Sequence, residues 1–478
     1  MSSVHLEAAR TGRLRRRVPA PTPAALAGIL AACLVLGGAV AVLPWPTVLG
    51  ALIASAVVGV VVMHPPAAAY LLLAITPLVA GIDRGAGVPL LRPTEALAAL
   101  VGVGLLGRGV LIALRSGVPE LRPSKMDIAI VALLVTGSIL PFLWMLARGI
   151  EVTSDDLLYG LVLWKFFGIY LIFRFSIKTE PEVRRCLWIV MITGSLVAVI
   201  AMMQAMGVHP VTAFVTRYYS QYGDSTSALN SRGGATFGLP IALADFMLLD
   251  LAVAAGFLLS SRERRPTLFL LAGLFIGGVF ASAEFSALIG LLVAVVALAI
   301  IARRRAIVLY VIPALCLAVF VLRPVIEQRL LGFQSVSGLP VSWTGRLHNL
   351  TSYFWPELFS NDHFLLGVRL SARVVVPTQA TGYVWIESGY TWLLWSGGIP
   401  FLLAFCWFVG AGIRRGVAAA RTHADGVGIA GLAAATGLSV VAVLMLFDPH
   451  LTYRGAADVL FAMLALTAVG TTQPYPNS

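Results

Sequence analysis

Arg346, His348, Asn349, His363, Arg369, Arg373 and Glu387 lie close together in a chain of which only 12% is charged, and their side chains suit two kinds of chemistry. An arginine guanidinium is a planar fork of donors that matches phosphate oxygens, so several of them converging hold a diphosphate without a metal ion. A carboxylate or a histidine beside them takes a proton from a hydroxyl, and Glu387, His348 and His363 are the candidates. An earlier segment adds Arg217 and Arg232, and Asp448-Pro449-His450, with Tyr453 and Arg454, forms a third polar group expected to complete a cavity. Trp343, Trp355 and Trp385 are suited to stacking on sugar faces or, the commoner job, to anchoring at a membrane interface.

These residues must be positioned by membrane helices. Of 478 residues, 59% are hydrophobic, and the mean hydropathy of +0.91 excludes a water-soluble domain. Apolar runs at Ala24–Leu43, Val48–Met63, Ala67–Ile82, Thr94–Leu114, Ile128–Ala147, Leu157–Phe175 and Leu187–Gly207 fill residues 24–207. A second set follows at Pro240–Leu259, Thr267–Ala281, Phe285–Ala302, Ala306–Leu322, Thr391–Ile413, Gly428–Phe447 and Gly455–Gly470. The fold expected is all-α, a transmembrane bundle of about 14 spans. Between a basic tail (residues 1–23) and a short tail (471–478), the two longest connections are residues 208–239 and 323–390, and both carry the polar groups above. Arginines crowd onto alternate connections, which predicts both termini in the cytoplasm and the two long segments outside. The net charge of +12 therefore reports orientation, and nucleic acid is not an expected partner.

Within the long external loop, Thr344, Leu347, Leu350, Phe354 and Leu358 predict an amphipathic surface helix capped by Thr344, with Arg346 and Asn349 on its polar side. Lys165 falls near mid-span, where a lysine costs about 2.5 to 3.5 kcal/mol, so it faces protein or water, with Asp245, Asp250 and Asp458 as possible partners. Glu284 falls at an external helix turn, where solvation is the plain expectation. Gly102–Gly107 has dinucleotide-loop spacing but no preceding strand, and reads as a helix-packing feature. A nucleotide P-loop, an Asp-x-Asp pair, a metalloprotease histidine pair and a cysteine cluster are all missing, so no metal or other cofactor is expected.

Arg232-Gly-Gly-Ala-Thr-Phe-Gly-Leu-Pro240, leading directly into a span, resembles the O-antigen ligase and polymerase superfamily, which often shows Arg, Gly-Thr-Phe and Pro there. The order of parts is similar too. A long loop carries Arg346 and then Trp355, a glycine-containing stretch near Gly367, then Glu387-Ser388-Gly389-Tyr390 and Gly397-Gly398-Ile399-Pro400. The resemblance covers mainly residues 232–400. It implies a GT-C-like glycosyltransferase of the bacterial cytoplasmic membrane, working on its external or periplasmic face. Its donor would be a polyprenyl-diphosphate-linked glycan and its acceptor a lipid or another glycan. Glu387 stands where ligases usually have His, and Glu284 where many members have Arg, which favours a polymerase or a ligase with a different acceptor.

On this reading Arg232 and Arg346, with Arg217 or Arg369, bind the donor diphosphate, and Glu387 is the first choice of base, ahead of His348 and His363. Direct attack inverts the anomeric centre, as the resemblance implies. Two other classes stand beside it. A transporter or flippase of lipid-linked glycans would show internal symmetry and ionisable residues at mid-membrane. A non-catalytic partner in an envelope-polysaccharide assembly would tolerate loss of Glu387 and Arg232.

Overall fold

The computed structural model describes residues 45–85, 91–116, 123–219, 232–260, 265–304, 341–377 and 382–469, with a few helical positions between 312 and 327. The chain divides into Met1–Val57 and Val58–Ser478, and the described residues of the first part are helical. The helices are α1 (Trp45–Met63), α2 (Pro66–Val79), α3 (Pro93–Ser116), α4 (Lys125–Ala147), α5 (Ser154–Ser176), α6 (Glu180–Ala205) and α7 (His209–Tyr218). They continue with α8 (Pro240–Ser260), α9 (Arg265–Ala281), α10 (Phe285–Ile301), α11 (Val341–Asn349) and α12 (Trp355–Phe359), and end with α13 (Gly389–Thr422), α14 (Gly426–Leu444) and α15 (Ala456–Leu466). Two short antiparallel strands, β1 (Arg373–Val375) and β2 (Tyr383–Trp385), make a hairpin pairing Arg373 with Trp385.

Among the described residues seven helices, α3, α4, α5, α6, α8, α13 and α14, are long and apolar enough to cross a membrane, and α1, α2, α9, α10 and α15 are shorter apolar helices. Twelve of the expected apolar runs coincide with described helices. Ala24–Leu43 lies outside the described residues, Ala306–Leu322 lies mostly outside them, and so do the two terminal tails.

Local chemistry sets where the helices start. Thr153 and Asp156 cap α5 reciprocally, Ser124 and Asp127 do the same for α4, and Asp425 caps α14 by accepting from two backbone amides. Burial then separates centre from wall. The apolar window of α8 is 83% buried and that of α14 is 78% buried, whereas α3 reaches only 17%. A helix apolar on every side and enclosed is the middle of the bundle, so α8 and α14 form the core and α3 an outer wall. At the α13–α14 crossing Gly416 and Gly431 face each other, each leaving room for the other's carbonyl 2.6 Å from where a Cβ would sit. Gly104 serves the same purpose on α3, where an added Cβ would meet Val61 at 2.8 Å, in keeping with a packing role for the Gly102–Gly107 stretch.

Candidate functional site

Three expected residues converge. Arg346 Nη1 lies 2.6 Å from Asp448, and its Nε lies 3.7 Å from Glu387. Asn349 Nδ2, less than one turn further along α11, donates to the other oxygen of Glu387 at 3.1 Å. The surface-helix expectation needs correction here. Thr344 lies inside the helix and not at its start, and Leu347 is 55% exposed. The inward stripe is the half-buried Arg346 and the buried Leu350, Phe354 and Leu358, one residue every four, continued through a π-helical turn at Leu350–Phe354 into α12. Arg346 therefore points into protein. Its guanidinium displaces Leu347 from the inward face because two carboxylates wait there.

Glycines hold those carboxylates in place. Ser388 caps α13 and fixes Glu387 just before its first turn. The amide of Gly389 donates to Met445 O at 2.8 Å, and a Cβ on Gly389 would lie 2.8 Å from the carbonyl of Asp448. Only a bare backbone lets the start of α13 and the α14–α15 turn approach this closely. Further along, Gly398 (φ 65°) breaks α13, and the 3-10 turn Ser360–Leu365 packs into the break.

The cluster opens into a cavity of about 2830 Å³, lined near this end by Arg346, Glu387, Asp448, Tyr453, Arg454, Arg84 and Arg92. Burial raises the Asp448 carboxyl to about 6 against the pull of Arg346 and His450. Burial also pushes the Tyr453 hydroxyl well above its ordinary range. Arg346 loses stability by burial but is held above its ordinary value by Asp448 and Glu387, so it stays a cation. A fixed cation, an exposed-edge carboxylate and a buried acid poised near neutrality thus line one wall.

Arg232 and its neighbours form a buried turn. Gly234 N and Ala235 N donate to Gln204 Oε1 at 3.1 and 2.8 Å, Gly233 N to Ala281 O at 2.7 Å, and Thr236 Oγ1 to Pro77 O at 2.6 Å. Gly238 takes a positive φ of 67° and turns the chain into α8. The Gly-Gly-Ala-Thr-Phe-Gly pattern therefore ties α2, α6, α8 and α9 together. Arg232 emerges from it and pairs with Glu284 at 3.0 Å. Glu284 is 8% exposed, so the expected solvated turn is instead a buried carboxylate satisfied by an arginine. Neither residue lines the cavity wall, although Glu284 acts electrostatically on Arg346.

The other candidates are placed elsewhere. Arg369 is bound to Asp156 at 2.6 Å, which keeps its guanidinium above the ordinary value, and with the Arg373–Asp155 pair it fastens the loop to the start of α5. Arg217 stacks over Tyr218, His348 is exposed beside Ser352, and His363 Nδ1 lies 3.0 Å from the backbone oxygen of Glu357. His450 Nδ1 lies 2.7 Å from Asp245, and its Nε2 meets no hydrogen-bond partner among the described residues. Lys165 lines the cavity and pairs with Asp458 at 2.7 Å, one of its three expected partners. Trp385 lines the cavity between Tyr159 and Arg373, Trp343 packs on Phe447, and Trp355 donates to Thr391.

Sequence reading passed over Arg84, Arg92 and Glu95, which line the cavity too, with Arg84 and Glu95 paired at 2.8 Å. Two arginines in a short connection expected on the external side, against the usual charge bias, were the available signal. Among the described residues no group of three His, Cys, Asp or Glu is arranged to hold a metal ion, and Cys186, Cys316 and Cys406 are free thiols. No family model, no curated protein and no solved structure matches the chain.

Proposed function

We propose that the chain is a membrane glycosyltransferase that passes a polyprenyl-diphosphate-linked glycan to a glycan or other acceptor on the external face of the bacterial cytoplasmic membrane. The observation that carries this reading is the convergence of Arg346, Glu387 and Asp448 on the wall of a cavity several times larger than the ~300–1,000 Å³ of an ordinary small-molecule pocket. A bulky amphiphilic substrate suits that volume, and an aromatic pair, Tyr159 and Trp385, lies along it for a sugar face. The resemblance of residues 232–400 to the O-antigen ligase and polymerase superfamily points the same way, including a GT-C-like fold.

In this mechanism Glu387, the more exposed of the two carboxylates, receives the proton of the acceptor hydroxyl. The hydroxyl oxygen bonds to the anomeric carbon as the bond from that carbon to the diphosphate oxygen breaks, with inversion. The electron pair leaves with the polyprenyl diphosphate. Arg346, preorganised by its two carboxylates, and the nearby Arg84, Arg92 and Arg454 are the cations placed to meet that negative charge. Arg232 supports the site from outside the cavity, through Glu284.

One observation favours a transport role as second reading. The cavity follows α5 from Asp155 to Phe175, roughly 30 Å, and the Lys165–Asp458 pair sits midway. The two readings separate in sealed vesicles loaded with donor and acceptor. Longer glycans or acceptor conjugates that disappear in Arg346→Gln support transfer. Donor that changes leaflet with no covalent product sinks it.

A further inference from the structure

The cavity has a second charged end that glycan transfer leaves unused. There it is lined by Arg174, Lys178 and Arg415, with Arg108 entering from α3. Asp127 lines this end as well: it pairs with Arg174 and accepts from Tyr170 at 2.8 Å. Arg415 is held by neutral partners, Thr467 Oγ1 at 2.8 Å and Ser124 Oγ at 3.3 Å. Arg108 donates to the carbonyl of Val62 at 2.8 Å. The ammonium of Lys178, a solvent-exposed residue, donates to Arg174 O at 2.9 Å and is pushed below its ordinary value by partial desolvation and by the Arg174 charge beside it, against the pull of Glu182.

Three cations, Arg174, Lys178 and Arg415, thus meet two carboxylates, Asp127 on Arg174 and Glu182 acting on Lys178, which leaves a net positive charge at the end of an apolar cavity. Like charges held together at the edge of hydrocarbon are costly unless an anion joins them. The side chains are also aimed: Ser124 and Thr467 fix the Arg415 fork, and the Tyr170 hydroxyl, accepting at 3.3 Å, positions that of Arg174. Guanidinium forks fixed this way match phosphate oxygens in pairs. Next to them, Ile172, Phe175 and Ile112 continue the cavity as an apolar surface suited to an acyl or isoprenoid chain.

We infer that Arg174, Lys178 and Arg415 form a second anion site, at the end of the cavity opposite Arg346, that takes a phosphate group, with the adjoining apolar wall selecting one borne by a lipid. The site stands whether the chain transfers glycans or moves them. It is tested by binding of phosphatidylglycerol to the full chain in phosphatidylcholine nanodiscs, read by native mass spectrometry, with inorganic phosphate as competitor. Expected is selective retention of phosphatidylglycerol that falls about tenfold or more in Arg174→Gln/Arg415→Gln. Asp127→Asn, which removes the competing carboxylate, strengthens binding by roughly threefold or more, a gain that misfolding does not produce. Full displacement by inorganic phosphate assigns the site to the phosphate group alone and keeps it. Equal retention of the two lipids by wild type, or binding unchanged in both variants, overturns it.

Discussion

Gly389→Ala is the sharpest way to separate the start of α13 from the α14–α15 turn without touching a charge. The new Cβ would lie 2.8 Å from the carbonyl oxygen of Asp448, and ordinary contact begins near 3.4 Å. The Met445 side chain, 2.7 Å away at its methyl end, can swing aside, but a backbone carbonyl cannot. Helix and turn must therefore part by about 0.6 Å, because a close-packed interior has no slack to absorb the overlap. Glu387 lies two residues before the substitution and Asp448 lies on the other side of the gap, so Arg346 can no longer meet both. Displacements on the 1 Å scale cost up to about a hundredfold in rate, so a loss of roughly tenfold, near 1.4 kcal/mol in the barrier, is expected here. The assay is glycan transfer by purified protein in lipid. Gly410→Ala on the same helix is the control, since nothing lies within 4 Å of its added Cβ. A folded Gly389→Ala protein with the wild-type rate, or an equal loss in Gly410→Ala, would refute the reasoning.

Asp448 titrates near 6 in the folded chain against 3.8 ordinarily, so its contribution to stability is complete below pH ~3.8 and is lost as pH rises to about 6, roughly 3 kcal/mol in all. Melting of Asp448→Asn across that window should show a flatter pH dependence than wild type. Gln204→Leu removes the acceptor of two buried amides and should destabilise by about 2–5 kcal/mol in thermal unfolding, and Arg232→Ala, which takes the guanidinium away from the buried Glu284, by about 1–3 kcal/mol. Arg369→Ala leaves Asp156 buried with its hydrogen bonds from Thr153 and Ser371, so a loss of about 1–3 kcal/mol is expected with the KM for donor unchanged. A raised KM with unchanged melting would return Arg369 to the diphosphate site.

Hydropathy makes the helices readable because a helix that crosses hydrocarbon has little choice of composition; α5 and α10 follow their apolar runs closely. The polar loop around residues 341–390 is less readable. Periodicity there groups Leu347 with Leu350, but the fold turns Arg346 inward, since its partners come from Glu387 and from Asp448, about a hundred residues away. No local pattern records such a pairing. The same holds for Arg369, whose role is decided by a carboxylate at the start of α5. The Arg232 motif was visible as letters, yet what it does is structural: its amides need Gln204 and its turn needs Gly238. Arg84 and Arg92 were visible only as a charge anomaly, and it took the cavity to give them a place.

Single-turnover transfer from a polyprenyl-diphosphate oligosaccharide to an acceptor glycan, comparing wild type with Glu387→Gln, tests Glu387 as the base most directly. Loss of the proton acceptor should lower the rate by about 10²–10⁴-fold while the donor still binds, and the wild-type product should carry an inverted anomeric linkage. Transfer at the wild-type rate by a folded Glu387→Gln protein, or a retained linkage, would contradict the assignment of Glu387 as base.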